Sequence, residues 1–271
     1  MPPADRAPRG PACQAPGRGA APGALALTPV LVAVAIVFAS FIKGAIAFGF
    51  PIVATPLLAL LVDVKTGVAL TILPNIVMDA IQTGRNASAL LLTVRRVAIL
   101  LVFGFIGTLI GTWSLLVLPP GVALAVLGGF VLGFVALNVF GVVFRVPRHW
   151  EPFLSPPVGL LAGFLGGVTN VPGTLLVIYF HALGMEKREF IRTVALCFMT
   201  YKVIQLVTVT YYGLLTWRLF GASALLTLVG LGAFAVGLKL QDWLPERTFN
   251  RAVLAFLGLL GLSLLARGVL R

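Results

Sequence analysis

Apolar stretches recur from Leu25 to Leu270, and no polar block between them is long enough to make a domain of its own. That feature excludes a soluble globular fold and a single-pass anchor alike, and it places nearly the whole chain in a bilayer. Composition agrees: 59% of the 271 residues are hydrophobic, 10% are charged and the mean hydropathy is +1.07, far from soluble domains. The 20 Lys and Arg outnumber the 8 Asp and Glu. The basic residues sit between apolar segments, as at Arg85, Arg95, Arg96, Arg145 and Arg148, which is how membrane helices are oriented. No basic stretch is interleaved with aromatics, so nucleic acid is not a partner. Cys13, Cys197, His149 and His181 are isolated and offer neither a disulfide framework nor a metal ligand set. No cofactor is implied.

Residues 1–25 are rich in Pro, Ala, Gly and Arg and are expected to form a disordered tail. No cleavage site of signal-peptide type follows, because the first apolar run continues as a membrane segment. The apolar segments then fall at about 27–46, 50–62, 66–83, 97–118, 121–143, 156–168, 173–184, 189–211, 219–239 and 249–269. Six of them span a hydrocarbon core of roughly 30 Å at about 1.5 Å per residue. The segments 50–62, 156–168 and 173–184 reach only about 20 Å, and 27–46 runs into 50–62 through Lys43 to Pro51 (KGAIAFGFP) with no polar loop. These pairs are expected to be broken or re-entrant helices.

The two halves repeat. In 26–145 a stretch leading to Phe48-Gly49-Phe50-Pro51 precedes a short arm, a charged turn at Asp63 to Lys65, and a helix carrying Asp79 and Gln82. In 156–271, Gly159, Gly163, Gly166 and Gly167 lead to Thr169-Asn170-Val171-Pro172, a short arm, Glu186 to Arg188, and a helix carrying Lys202 and Gln205. Corresponding residues lie about 120 positions apart. Arg placement puts loops 84–96, 144–155, 185–192 and 240–248 in the cytoplasm and the Pro119-Pro120 turn outside. Three spans per half is an odd number, so the second half is inverted relative to the first. The expected architecture is an all-α polytopic membrane protein of two inverted repeats, each a broken pair plus three transmembrane helices, the plan of many secondary transporters.

Breaks at Gly49, Pro51, Asn170 and Pro172 leave backbone groups without helical partners at membrane depth, which requires a protein-lined or watery environment. Half-helix N-termini there would offer N–H groups to an oxyanion. Within the spans, ionisable residues are rare: Lys43, Asp79 and Lys202, each a functional candidate because of its cost in hydrocarbon. Asn75, Asp79 and Gln82 share one helical face, as do Lys202 and Gln205. The candidate substrate-binding set is therefore Lys43, Gly49, Pro51, Asn75, Asp79, Gln82, Thr169, Asn170, Pro172, Lys202 and Gln205. The alternative to a functional role is a structural Asp79–Lys202 pair that holds the two halves together, and a pair broken and remade during transport would satisfy both. The spacings Gly107 to Gly111 and Gly129 to Gly133 are expected to permit close helix packing.

The half-motifs Lys43 to Leu61 (KGAIAFGFPIVATPLLALL) and Gly163 to Leu183 (GFLGGVTNVPGTLLVIYFHAL), the latter followed by Arg192, resemble the TauE/SafE sulfite exporter family of bacterial and archaeal membrane proteins, over about 30–269. Ala45, Ile46, Ala47 and Phe48 stand where the family has a denser glycine run. The resemblance implies a multi-pass protein of a prokaryotic plasma membrane that exports sulfite, sulfoacetate or related organosulfonates. It implies an ion gradient such as H+, or the membrane potential, as driving force, and leaves self-association open. No G-x-x-x-x-G-K-[ST] occurs, so this chain has no P-loop for ATP. An enzyme would need a nucleophile with a base, or a metal cluster. The spans carry one acid and no paired His, which leaves transport, or a non-transporting partner role, as the reading.

Overall fold

The computed structural model describes residues 22–46, 48–85, 90–140, 146–171, 173–240 and 246–270. The regular elements in them are helices: α1 (Pro22–Ile46), α2 (Phe50–Leu61), α3 (Val64–Gly84), α4 (Leu90–Val117), α5 (Pro120–Val139), α6 (Glu151–Thr169), α7 (Gly173–Ala182), α8 (Lys187–Tyr211), α9 (Trp217–Leu240) and α10 (Glu246–Val269), with one 3-10 turn at Arg148–Trp150. Among the described residues seven stretches are long and apolar enough to cross a membrane: 28–46, 64–84, 90–117, 120–137, 148–169, 188–211 and 217–240. Their outward side chains are apolar too, with Val34, Val102, Trp113, Leu228 and Val236 more than half exposed. A surface of that kind belongs against lipid chains rather than water. The chain is a multi-pass membrane protein.

Several boundaries differ from those expected: α4 begins at Leu90, inside the loop expected over 84–96, and α8 at Lys187, inside the loop expected over 185–192. α1 begins at Pro22, inside the tail expected to reach residue 25, while residues 1–21 lie outside the described set. α6 is a full-length helix from Glu151, rather than an arm starting at 156. Its early prolines mislead: Pro152 sits at the helix start, where an N–H has no helical partner. The Glu151 carbonyl then receives the Ser155 hydroxyl at 2.7 Å and the Tyr179 hydroxyl at 3.2 Å.

Prolines inside the helices free carbonyls that other elements satisfy. Pro74 has no N–H to give the carbonyl four residues back, and Ser223 of α9 donates to that Leu70 carbonyl at 2.9 Å. Pro120 leaves Leu116 in the same position, and Lys65 Nζ donates to the Leu116 carbonyl at 2.6 Å. At the start of α3, Asp63 caps the Thr66 N–H at 2.9 Å.

The packing is reciprocal between halves. α1 packs on α9 and α6 on α4; α3 meets both α8 and α9, and α8 meets both α3 and α4; α5 pairs with α10. Glycines set the tightest of these contacts. A Cβ on Gly107, Gly111 or Gly163 would stand 2.1–2.2 Å from a backbone carbonyl of the facing helix, and one on Gly44 or Gly237 at 2.4 Å. α4 and α6 thus touch backbone to backbone, as expected for Gly107 and Gly111. The expectation for Gly129 and Gly133 fails, since nothing lies within 4 Å of either; Gly128, one residue round the helix, faces α10 instead.

Side-chain bonds identify the two ends of the bundle. At one end Arg96 of α4 grips both carboxylate oxygens of Glu151 at 2.8 and 2.9 Å and also reaches Glu189 of α8. There the Val146 N–H donates to the Ala182 carbonyl at 2.9 Å, so α7 returns to the level where α6 began. At the other end Lys65 meets Leu116, and Arg267 meets the Leu60 carbonyl at 3.2 Å. The turn between α2 and α3 therefore sits with the ends of α4 and α10.

Candidate functional site at the helix breaks

Both expected breaks are present. Gly49 caps α2 in the left-handed conformation (φ 103°), a region that favours glycine, and Asn170 closes α6 in the same region (φ 66°). Asn170 is the non-glycine residue with positive φ among the described residues. Asn tolerates this geometry at a helix C-terminus, where its side chain serves local or nearby partners. Here that side chain is a hub, donating to the hydroxyls of Thr55 on α2 at 2.8 Å and Thr71 on α3 at 2.7 Å. The break of the second half is thereby tied to the short arm of the first.

A small cleft opens between them, lined by Phe48, Gly49, Pro51, Ile52, Val171 and Phe198 among others. Its walls are apolar, so polar recognition there falls to the backbone. The first turn of α2 has no side-chain cap, Pro51 lacks an N–H, and the Val53 N–H is taken by the Gly49 carbonyl at 3.2 Å. The Phe50 and Ile52 N–H groups are left at the positive end of the α2 dipole. At the second break the Val171 N–H turns to the Thr169 hydroxyl at 3.3 Å. Pro172 lies outside the described residues.

One turn along α8 from Phe198 is Lys202, 1% exposed. Its ammonium donates to the Asn170 carbonyl at 3.0 Å, to the Asn170 side-chain oxygen, and to Gln205 Oε1 at 2.6 Å. Gln205 in turn donates to the Gly167 carbonyl at 3.2 Å. These acceptors on Lys202 are all uncharged, and they include the negative end of the α6 dipole. The lysine is anchored without a carboxylate partner.

The structural Asp79–Lys202 pair is not formed. Asp79 Oδ1 instead accepts from Lys43 Nζ at 2.6 Å, and Lys43 also donates to Asn75 Oδ1 at 2.7 Å. Lys43 lies in the last turn of α1 and reaches α3 through these bonds, whereas Lys202 is held by the break itself. Matching positions in the repeat do not make neighbours in space. The candidate set thus divides: Gly49, Pro51, Thr169, Asn170, Lys202 and Gln205 gather around the breaks, while Lys43, Asn75, Asp79 and Gln82 form a buried group between α1 and α3. Thr55 and Thr71 were not among the expected site residues. The signal for Thr71 was present, because it extends the face of Asn75, Asp79 and Gln82 by one turn. Arg192 belongs to neither group and donates to Thr93 on α4 at 2.7 Å.

The family model for the Sulfite exporter TauE/SafE matches residues 32–264. The chain belongs to the TauE/SafE family. That span takes in both breaks and reaches from α1 to α10. No curated protein and no solved structure matches the chain. Membership in the TauE/SafE family makes it a membrane transporter of the sulfite-exporter type.

Proposed function

We propose that this TauE/SafE protein is a secondary transporter that exports small sulfur oxyanions, such as sulfite, sulfoacetate or another organosulfonate, across a prokaryotic plasma membrane. The substrate occupies the cleft between the two breaks. The observation that carries this reading is Lys202: a buried lysine held by neutral acceptors at Asn170, the neighbour of Val171 on the wall of a cleft that both breaks line. Lys43 is matched by Asp79, so the remaining lysine gives the core one formal positive charge. An anion beside it, met by the α2 N-terminal N–H groups, relieves a charge that is otherwise costly in a low-dielectric interior. A cation finds no ring of carboxylates, because the described residues hold no group of three metal-ligating side chains.

The inverted-repeat plan supports the same mechanism. α2 and α7 are 12 and 10 residues long, about 18 and 15 Å at the usual helical rise, and they run to opposite ends of the bundle. Together they account for about one hydrocarbon thickness, so the breaks meet near its middle. Rocking of the reciprocally packed halves about that point would expose the cleft to either side. The end carrying Arg96 is the cytoplasmic one by its basic loops. An inside-negative potential then favours anion exit by about 2.3 kcal/mol per charge per 100 mV.

Counterflow of labelled sulfite by the purified chain in liposomes tests the reading, with sulfoacetate, short sulfonates, carboxylates and organic cations as competitors at matched concentration. Sulfur oxyanions, whose three oxygens suit convergent N–H donors, should compete best, and Lys202→Met should abolish flux while the protein still folds. Equal competition by carboxylates or cations sinks the oxyanion assignment.

A further inference from the structure

The buried group between α1 and α3 is not explained by anion binding. Ser40 and Lys43 from α1 and Asn75, Asp79, Gln82 and Thr83 from α3 are each at most 4% exposed. After the Lys43 bonds are made, Ser40 Oγ, Asn75 Nδ2, Asp79 Oδ2, both amide atoms of Gln82 and Thr83 Oγ1 have no hydrogen-bond partner among the described residues. Each buried polar atom left so costs about 1–3 kcal/mol. A patch of them in one place is therefore a binding locus for something small and polar.

The chemistry of the set narrows the occupant. Donors and acceptors alternate, with amide N–H from Asn75 and Gln82, oxygens from Asp79 and Gln82, and hydroxyls that serve as either. That mixture suits water and a proton. A metal ion is disfavoured because the Lys43 ammonium already occupies the Asn75 and Asp79 oxygens that would hold it. An anion is opposed by the Asp79 carboxylate. Asp79 Oδ2 is the atom of the set built to take up a proton.

Building on the anion reading above, we propose that Asp79, on the α3 face it shares with Asn75, Gln82 and Thr83, is a proton-binding site whose occupancy is cooperative with the anion at Lys202. A hydronium ion delivers its proton to Oδ2, an O–H bond forms, and water is left behind. The carboxylate becomes neutral, so the buried set of Lys43, Asp79 and Lys202 passes from one formal positive charge to two. The added charge favours an anion, and by reciprocity the anion favours the proton. The titratable groups acting on Asp79 are Lys43 from α1 in direct contact and Lys202 from α8 through space. α9 brings Gly230 against Ser40 and Met78 at this level, and α2 carries no ionisable residue. The exposed end of α3 is close. Asp79 lies five residues before Gly84, about 8 Å along α3, with Gln82 and Thr83 filling the interval and Gly84 and Arg85 exposed at its end.

The test is titration calorimetry of the purified full-length chain with sulfoacetate, a dianion throughout about pH 6–9, in buffers of differing ionisation enthalpy. The wild type should take up a proton as the anion binds, reaching about one per anion on the alkaline side, with affinity falling up to tenfold per pH unit there. Asp79→Asn, fixed in the neutral form, should bind with no proton uptake and no pH dependence. Where that variant fails to fold, the double variant Lys43→Met/Asp79→Asn carries the same readout without an unpaired charge. Anion binding by the wild type with no proton uptake, or unchanged uptake in either variant, overturns the coupling and leaves the anion reading standing. No anion binding at any pH overturns both.

Discussion

The Lys43–Asp79 contact makes a quantitative prediction that also separates the observed pairing from the alternative between Asp79 and Lys202. The two groups meet at 2.6 Å with side chains 0% and 1% exposed. Lys43→Met leaves Asp79 charged with no bonded cation, and Asp79→Leu leaves Lys43 charged with Asn75 Oδ1 alone. Breaking a buried pair from one side costs about 3–5 kcal/mol, whereas replacing both partners with apolar groups is often neutral or stabilising. The double variant Lys43→Met/Asp79→Leu should therefore be more stable than either single variant by at least about 3 kcal/mol. At roughly 2–4 °C per kcal/mol for a chain of this size, that is a difference of about 6–12 °C in the melting midpoint of the detergent-solubilised protein. The companion cycle with Lys202→Met and Asp79→Leu should be closer to additive, because Lys202 is bonded to Asn170 and Gln205. If the Lys43 cycle is additive within about 0.5 kcal/mol, or the Lys202 cycle shows the larger coupling, Lys43 is not the partner that neutralises Asp79.

Other outcomes follow from single contacts. Gly163→Ala places a methyl 2.2 Å from the Gly104 carbonyl and should lower stability by about 1–3 kcal/mol, while Gly129→Ala, with nothing within 4 Å, should raise it by about 0.5–1 kcal/mol; thermal scans of the two variants check the contrast. Asn170→Gly keeps the left-handed backbone but removes the bonds to Thr55, Thr71 and Lys202, so it should fold and lose transport, whereas Asn170→Ala adds about 1 kcal/mol of backbone strain. A protein that transports normally with Gly at 170 would show that the hub is dispensable. A cysteine at Leu90, in a Cys13→Ser background, should react with impermeant maleimide only in inside-out vesicles; labelling in intact cells would reverse the assigned orientation.

Much of the architecture was legible in the sequence because a bilayer leaves few options. Every spanning segment must be an apolar helix with its backbone bonds closed internally, so hydropathy alone located ten segments, each overlapping a helix among the described residues. The glycine and asparagine at the breaks were legible for a similar reason: Gly49 and Asn170 occupy a backbone region that few other residues enter. What periodicity could not supply was the partner of each buried charge. Asp79 and Lys202 occupy equivalent places in the repeat, yet α1 delivers Lys43 to Asp79 and the Asn170 break claims Lys202. A lysine ammonium sits on a long flexible stem, and which acceptor it finds depends on helix separation and rotation, which glycine contacts such as Gly44 against Gly237 decide. The prolines of α6 read as a start at 156, whereas the helix begins at Glu151 with Pro152 in its first turn. The sequence alone determined which residues had to be helical and where the helices had to break. Only the tertiary structure decided that one buried lysine meets a carboxylate and the other only neutral acceptors, because ion pairing acts over a few ångströms between segments far apart in the chain.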